Sequence, residues 1–177
     1  MRVFLVGVAC VGKTTIGALL ARRLDVPFFD LDAEIERYFG TSTERLQNRF
    51  LTGYSYRNAC APVLTQIAVA HRDCVIALPP TGLRDAYLRA LRKLDGITVA
   101  VEDTAENLLN RIVFFDIDSK PVDKPLTAEE KRYHLRDIKA DIRYFKKYYA
   151  RADLHAEIAG LGPEGAAARI EELVRQH

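Results

Sequence analysis

Hydrophobic positions along this chain alternate between short continuous runs and a helical period. Arg2–Val6 (Arg-Val-Phe-Leu-Val) is a short apolar strand. Over 15–24, Ile16, Leu19, Leu20 and Leu24 recur at i, i+3, i+4 and i+8, one face of a helix. Residues 26–30 form a second short strand, ending in Asp30, and a helix follows over 33–39. The stretch 43–71 is helical, with a break near Gly53. Residues 74–78 (Cys-Val-Ile-Ala-Leu) are apolar throughout, as expected of a central parallel strand covered on both faces. The stripe Leu83, Tyr87, Leu88, Leu91, Leu94 predicts a helix over 83–94. A strand over 97–101 and a helix over 105–113 come next, then 114–127, which lacks clean periodicity. Residues 128–149 form a long charged helix, 154–158 alternate like an edge strand, and 164–175 close the chain as a helix. Five strands with intervening helices predict an α/β fold: a parallel sheet with helices on both faces, and ligands at the carboxyl ends of its strands.

Composition narrows this picture without changing it. A length of 177 residues fits a single domain, 1–177, large enough for a core. A net charge of +2 gives no reason to expect nucleic acid or an anionic membrane as a partner. Three cysteines, Cys10, Cys60 and Cys74, have no metal-ligand spacing and fit a reducing cytoplasm. Neither a signal peptide nor a bilayer-length apolar run is visible. A cytoplasmic monomer is the expectation.

The first strand and helix bracket Gly7-Val8-Ala9-Cys10-Val11-Gly12-Lys13-Thr14, a complete G-x-x-x-x-G-K-[ST] phosphate loop. Gly7 and Gly12 let the backbone curl, and amides from Cys10 and Val11 to Thr15 reach phosphate oxygens, helped by the positive end of the helix. Lys13 serves the β- and γ-phosphates, and the Thr14 hydroxyl serves Mg²⁺. ATP and Mg²⁺ are therefore the expected cofactors. Cys10 reads as a small filler at a variable loop position, although a thiol so near a helix N-terminus is also a candidate redox sensor.

A phosphate-loop enzyme usually carries an acid for Mg²⁺ at the end of another strand. The 74–78 strand ends instead in Pro79-Pro80, and Asp73 is at its amino end. Asp30 and Asp32, just after the second strand, are the candidates: one for the metal shell, one to orient or deprotonate an acceptor hydroxyl. Either could also cap the helix that follows, a role compatible with metal work.

Lys13 with Asp30 and Asp32, then Gly53 and Tyr56-Arg57, resembles the shikimate kinases, a branch of the nucleoside-monophosphate-kinase-like phosphate-loop proteins. The similar parts are 4–17, Phe-Phe-Asp-Leu-Asp-Ala-Glu-Ile-Glu at 28–36, Gly53…Tyr56-Arg57, and Lys-Pro-Leu at 124–126. The resemblance implies a three-layer α/β/α kinase with a mobile lid over 112–127. It implies that Asp30 touches Mg²⁺ through water, that Asp32 binds acceptor hydroxyls and acts as base, and that Arg57 binds the acceptor carboxylate. Arg111 would stack on adenine, and Lys124 would swing in with the lid to neutralise the transferring phosphoryl group. A second carboxylate-binding arginine falls at Arg143, or one residue on at Tyr144, depending on where the count starts.

Three departures stand against that pattern. Pro79-Pro80-Thr81-Gly82 replaces a glycine run, so two backbone donors are gone, and Thr81 and Gly82 are left to donate to the acceptor. The sequence after Arg57, Asn58-Ala59-Cys60, lacks a carboxylate to orient the arginine. The lid is apolar, with Val113, Phe114, Phe115 and Ile117, and the reading is that these anchor it to the core. Two functions follow. The first is a kinase acting on a small hydroxylated carboxylic acid, with shikimate as first guess and another sugar acid or polyol such as gluconate behind it. The second is a nucleotide-binding module of the same fold without that activity. An open cavity with convergent donors beside Asp32, Arg57 and Pro79 would favour the kinase, a filled one the module.

Overall fold

A computed structural model describes residues 1–177. In chain order the elements are β1 (Arg2–Val6), α1 (Lys13–Leu24), β2 (Phe28–Asp30), α2 (Leu31–Phe39), α3 (Thr43–Gln47), α4 (Gly53–Ala70), β3 (Cys74–Ala77), α5 (Asp85–Leu91), β4 (Ile97–Glu102), α6 (Ala105–Asn110), β5 (Phe114–Phe115), β6 (Pro121–Val122), α7 (Ala128–Tyr149), β7 (Leu154–Glu157) and α8 (Pro163–Gln176). Five strands form one sheet in the order β2-β3-β1-β4-β7, every pairing parallel. The central strand is thus β1, with β3 beside it, and β7 is at the edge as its alternation predicts. Parallel pairing requires crossover connections, and the helices that make them cover the sheet.

Burial explains why the strands read as they do. Val3, Phe4, Leu5 and Val6 of β1, and Cys74, Val75 and Ile76 of β3, are almost fully enclosed. Glycine permits two close approaches in this core. A Cβ on Gly17 of α1 would lie 2.5 Å from the Phe28 ring, and one on Gly7 would lie 2.6 Å from the Val101 carbonyl oxygen.

Boundaries shift where capping decides them. α2 begins at Leu31, two residues earlier than its apolar period predicts, because the Asp30 side chain caps it by accepting from the Asp32 N–H. The helical stretch 43–71 breaks over 48–52, and Thr52 caps the second part by accepting from the Ser55 N–H. α6 stops at Asn110 rather than 113. A capping box between Thr127 and Glu130 fixes the start of α7.

The segment 114–127 contains an antiparallel hairpin, β5 with β6, whose pairing its sequence did not signal. Its apolar side chains do not anchor it as expected. Phe114 packs against His134, but Val113, Phe115 and Ile117 are exposed at 49%, 57% and 45%. Polar contacts anchor the tip instead. Ser42 donates to the Ile117 carbonyl at 2.5 Å, Arg45 Nε to Asp118 at 2.6 Å, and the Ser119 hydroxyl meets Glu36 at 2.5 Å and Glu44 at 2.8 Å. Ser119 has a left-handed φ of 58°, and Asp116 closes the turn by accepting from the amides of Asp118 and Lys120.

Candidate active site

The loop between β1 and α1 is built for an anion. Gly12 has φ 97°, a conformation glycine adopts without strain, and Cys10 has φ 61°. α1 has neither a side-chain cap nor an acid in its first turn, so its unpaired amides remain for phosphate oxygens. The Lys13 ammonium donates to the carbonyls of Gly7 at 2.9 Å and Val8 at 3.0 Å, folded back over its own loop. Burial pulls its pKa down to about 8, against the pull of Asp32 and Asp30 in the other direction.

Thr14 and Asp30 meet directly: the hydroxyl donates to Asp30 Oδ2 at 2.6 Å, while Oδ1 accepts the capping N–H of Asp32 at 3.1 Å. The two expected metal-shell residues are therefore adjacent at the carboxyl end of β2, and this oxygen set suits Mg²⁺. Asp32 follows in the first turn of α2. Burial, and then the like charge of Asp30, push its carboxyl up to about 6.

Beyond Asp32 a cavity of about 470 Å³ opens, lined among others by Asp32, Thr43, Thr52, Arg57, Pro79 and Thr81. Pro79 and Pro80 form one wall and leave the space open. The hydroxyls of Thr43 and Tyr56, two of the lining residues, are buried without a partner. Arg57 is itself buried, at 8% exposure. Its supporting acid is present after all. Asp85, from the start of α5, accepts from Arg57 Nε at 2.9 Å and from Nη2 at 2.6 Å. Sequence reading missed it because the pair is separated by 28 positions and only packing of α5 on α4 joins them.

The other expected site residues divide. Arg111 lies against the phosphate loop, ion-paired to Asp103 and donating to the Val11 carbonyl at 3.1 Å. Thr81 lines the cavity, but Gly82 is buried behind it with its N–H donated to the Pro79 carbonyl at 2.8 Å. Lys124 is turned to Glu130 at 3.2 Å and sits over the Phe114 ring. Arg143 is exposed on α7. Its neighbour Tyr144 makes the contact toward the 79–84 loop, accepting from Arg84 Nη1 at 2.7 Å.

Comparison with known proteins identifies the family. A family model described as shikimate kinase matches residues 9–175. A shikimate kinase of Zymomonas mobilis is 32% identical over 152 residues, covering 85% of this chain and 80% of that one. Among solved structures, the shikimate kinase of Aquifex aeolicus superposes with a TM-score of 0.74 at 26% identity, covering 99% of this chain and 96% of that one. The Acinetobacter baumannii shikimate kinase, solved in complex with shikimate, gives 0.72 at 25% identity, covering 99% and 93%. With Asp32 and the buried Arg57 lining one cavity, and a family match over nearly all its length, this chain belongs to the shikimate kinase family.

Proposed function

We propose that this protein transfers the γ-phosphoryl group of ATP to a hydroxyl of shikimate, giving ADP and shikimate 3-phosphate, with Mg²⁺. The observation that carries the reading is the open cavity lined by Asp32 and Arg57, with the Lys13 charge close enough to act on Asp32. A filled acceptor site would have favoured a binding module instead.

Each side chain has a task set by its surroundings. Backbone amides at the start of α1 and the Lys13 ammonium bind the triphosphate. To reach it, Lys13 exchanges its two carbonyl partners for phosphate oxygens. Mg²⁺, when bound, would supply charge neutralisation at the phosphates, and Thr14 and Asp30 would hold it. Asp32 accepts a hydrogen bond from the acceptor hydroxyl. With a pKa near 6 it is ionised at neutral pH, yet basic enough to take a proton as the hydroxyl attacks. Arg57 binds the acceptor carboxylate, for which a planar fork of donors is suited. The orphan hydroxyls of Thr43 and Tyr56 provide polar capacity for a polyhydroxy acid. Arg111, held by Asp103 and the Val11 carbonyl, is assigned the stacking contact with adenine. Lys124 must leave Glu130 to contribute charge, so its role belongs to a different lid position from the one seen here. The protein acts as a cytoplasmic monomer in this reading.

An assay coupled to ADP release, with ATP, Mg²⁺ and shikimate, tests the proposal. Turnover is expected, and Lys13→Ala should abolish it. ATP binding without turnover on shikimate, quinate or gluconate would return the protein to the role of a nucleotide-binding module.

A further inference from the structure

Arg57 sits on a helix that offers it no acid: one turn on are Cys60 and Ala61, both buried. Asp85 supplies one from another element, and the way it does so divides the guanidinium in two. Nε and Nη2 both donate to the single oxygen Oδ2 of Asp85, at 2.9 and 2.6 Å. That occupies the side edge of the fork. The end edge, Nη1 and the remaining N–H of Nη2, keeps its donors. Nη1 faces Gly53, where a Cβ would come within 2.9 Å of it. Both Gly53 and Arg57 line the acceptor cavity.

Asp85 is held for this contact. Its φ of 47° is left-handed, a conformation that aspartate tolerates better than most residues but adopts rarely. The preceding loop is wound by two turns, with Gly82 N–H donating to the Pro79 carbonyl at 2.8 Å and Arg84 N–H to the Thr81 carbonyl at 2.9 Å. α7 clasps it from outside. The Tyr149 hydroxyl donates to the Pro80 carbonyl at 3.0 Å. Arg84, bonded to Tyr144 and stacked 4.8 Å from the Tyr148 ring centroid, brings its Nη2 within 3.8 Å of the same Asp85 oxygen.

We propose that Asp85 is the positioning residue for Arg57: it locks the side edge of the guanidinium so that the end edge receives the carboxylate of the acceptor. The segment that lost backbone donors at Pro79-Pro80 thus supplies, six residues on, the acid that α4 lacks. The inference rests on the reading of Arg57 as the ligand of the acceptor carboxylate.

Steady-state kinetics with shikimate and with its methyl ester, which has no carboxylate, separate positioning from bulk structure. Arg57→Ala comes first and should raise KM for shikimate; an unchanged value ends the reading of Arg57 and the inference with it. Asp85→Asn should then raise KM for shikimate about 10- to 100-fold, as expected for loss of a charge-assisted contact. KM for ATP should hold, and kcat/KM should fall about tenfold further for the acid than for the ester. If Arg57→Ala raises KM and Asp85→Asn does not, the inference alone is overturned. An equal fall for acid and ester makes Asp85 structural only and overturns it too. Should the Asn variant fail to fold, Asp85→Glu keeps the charge one methylene away. It should show an intermediate rise for shikimate only, and wild-type kinetics there would refute the assignment.

Discussion

Asp30 does two jobs with one carboxylate, and Asp30→Asn separates them. Its Oδ1 caps α2 through the Asp32 N–H, and its Oδ2 accepts from Thr14. Asparagine caps as well as aspartate. The variant should therefore melt within ~0.5 kcal/mol of the wild type, whereas Asp30→Ala should lose about 1 kcal/mol, or 2–4 °C for a chain of this size. The charge is a different matter. Were Mg²⁺ held about 4 Å away, a unit charge and the ion would attract by about 8 kcal/mol gross at an effective dielectric of 20. Dehydration offsets most of this, and a loss of about 10- to 100-fold in apparent Mg²⁺ affinity is the expected remainder. The sharper readout is Asp32. Its carboxyl titrates near 6 first because it is buried and second because Asp30 is negative beside it. Neutralising Asp30 removes the second cause, so the Asp32 midpoint should move down by ~0.5–1 pH unit. Carboxyl-carbon NMR titration of the nucleotide-free protein measures this without requiring activity. A midpoint that stays near 6 or rises, or an Asn variant that melts like the Ala variant, would refute the reasoning.

Four further outcomes follow from the same geometry. Asp32 binds its proton up to about pH 6 when folded, against an ordinary 3.8, so it weakens the fold as pH rises from about 4 to about 6 and adds no further loss above that. Asp32→Asn should be inactive but more stable at pH 7.5, by at most about 3 kcal/mol, with the melting curves converging near pH 3.5; a lower melting temperature at pH 7.5 would contradict this. Lys13 loses its charge above about pH 8 in the empty protein, so kcat/KM for ATP should bend downward there, and ATP binding above that pH should take up a proton measurable by calorimetry in two buffers. Gly17→Ala gains helix propensity of up to ~1 kcal/mol but pushes a methyl into the Phe28 ring, a clash of about 1–3 kcal/mol, so thermal denaturation should show a net loss. Ser119→Ala removes the hydroxyl that docks the lid tip between Glu36 and Glu44, and amide hydrogen exchange over 114–122 should speed up while that of β1 does not change.

Local patterns carried the sequence reading far. Five strands, their helices and the phosphate loop were legible because each is written in contiguous residues: an apolar run, a helical stripe, two glycines bracketing four positions before a lysine. Asp30 and Asp32 were legible for the same reason, since a strand end places its last side chains at the ligand edge. The reading weakened wherever a partner lay far along the chain. No local signal says that Asp85 meets Arg57, that the Gly82 amide turns inward to Pro79, or that the lid is held by Ser119, Asp118 and the Ile117 carbonyl rather than by its aromatics. The one-residue ambiguity between Arg143 and Tyr144 is of this kind too. Helix α7 presents a new side chain every 100°, so a single position decides which one meets Arg84, and only the packed helix fixes it. The sequence by itself determined the five-stranded parallel sheet with its helices, the phosphate loop and the placing of Asp30 and Asp32 at a strand end. Tertiary packing decided how the acceptor half is assembled, because there the contacts join α4, α5, the lid and α7, elements whose relative placement depends on burial in a shared core rather than on any local period.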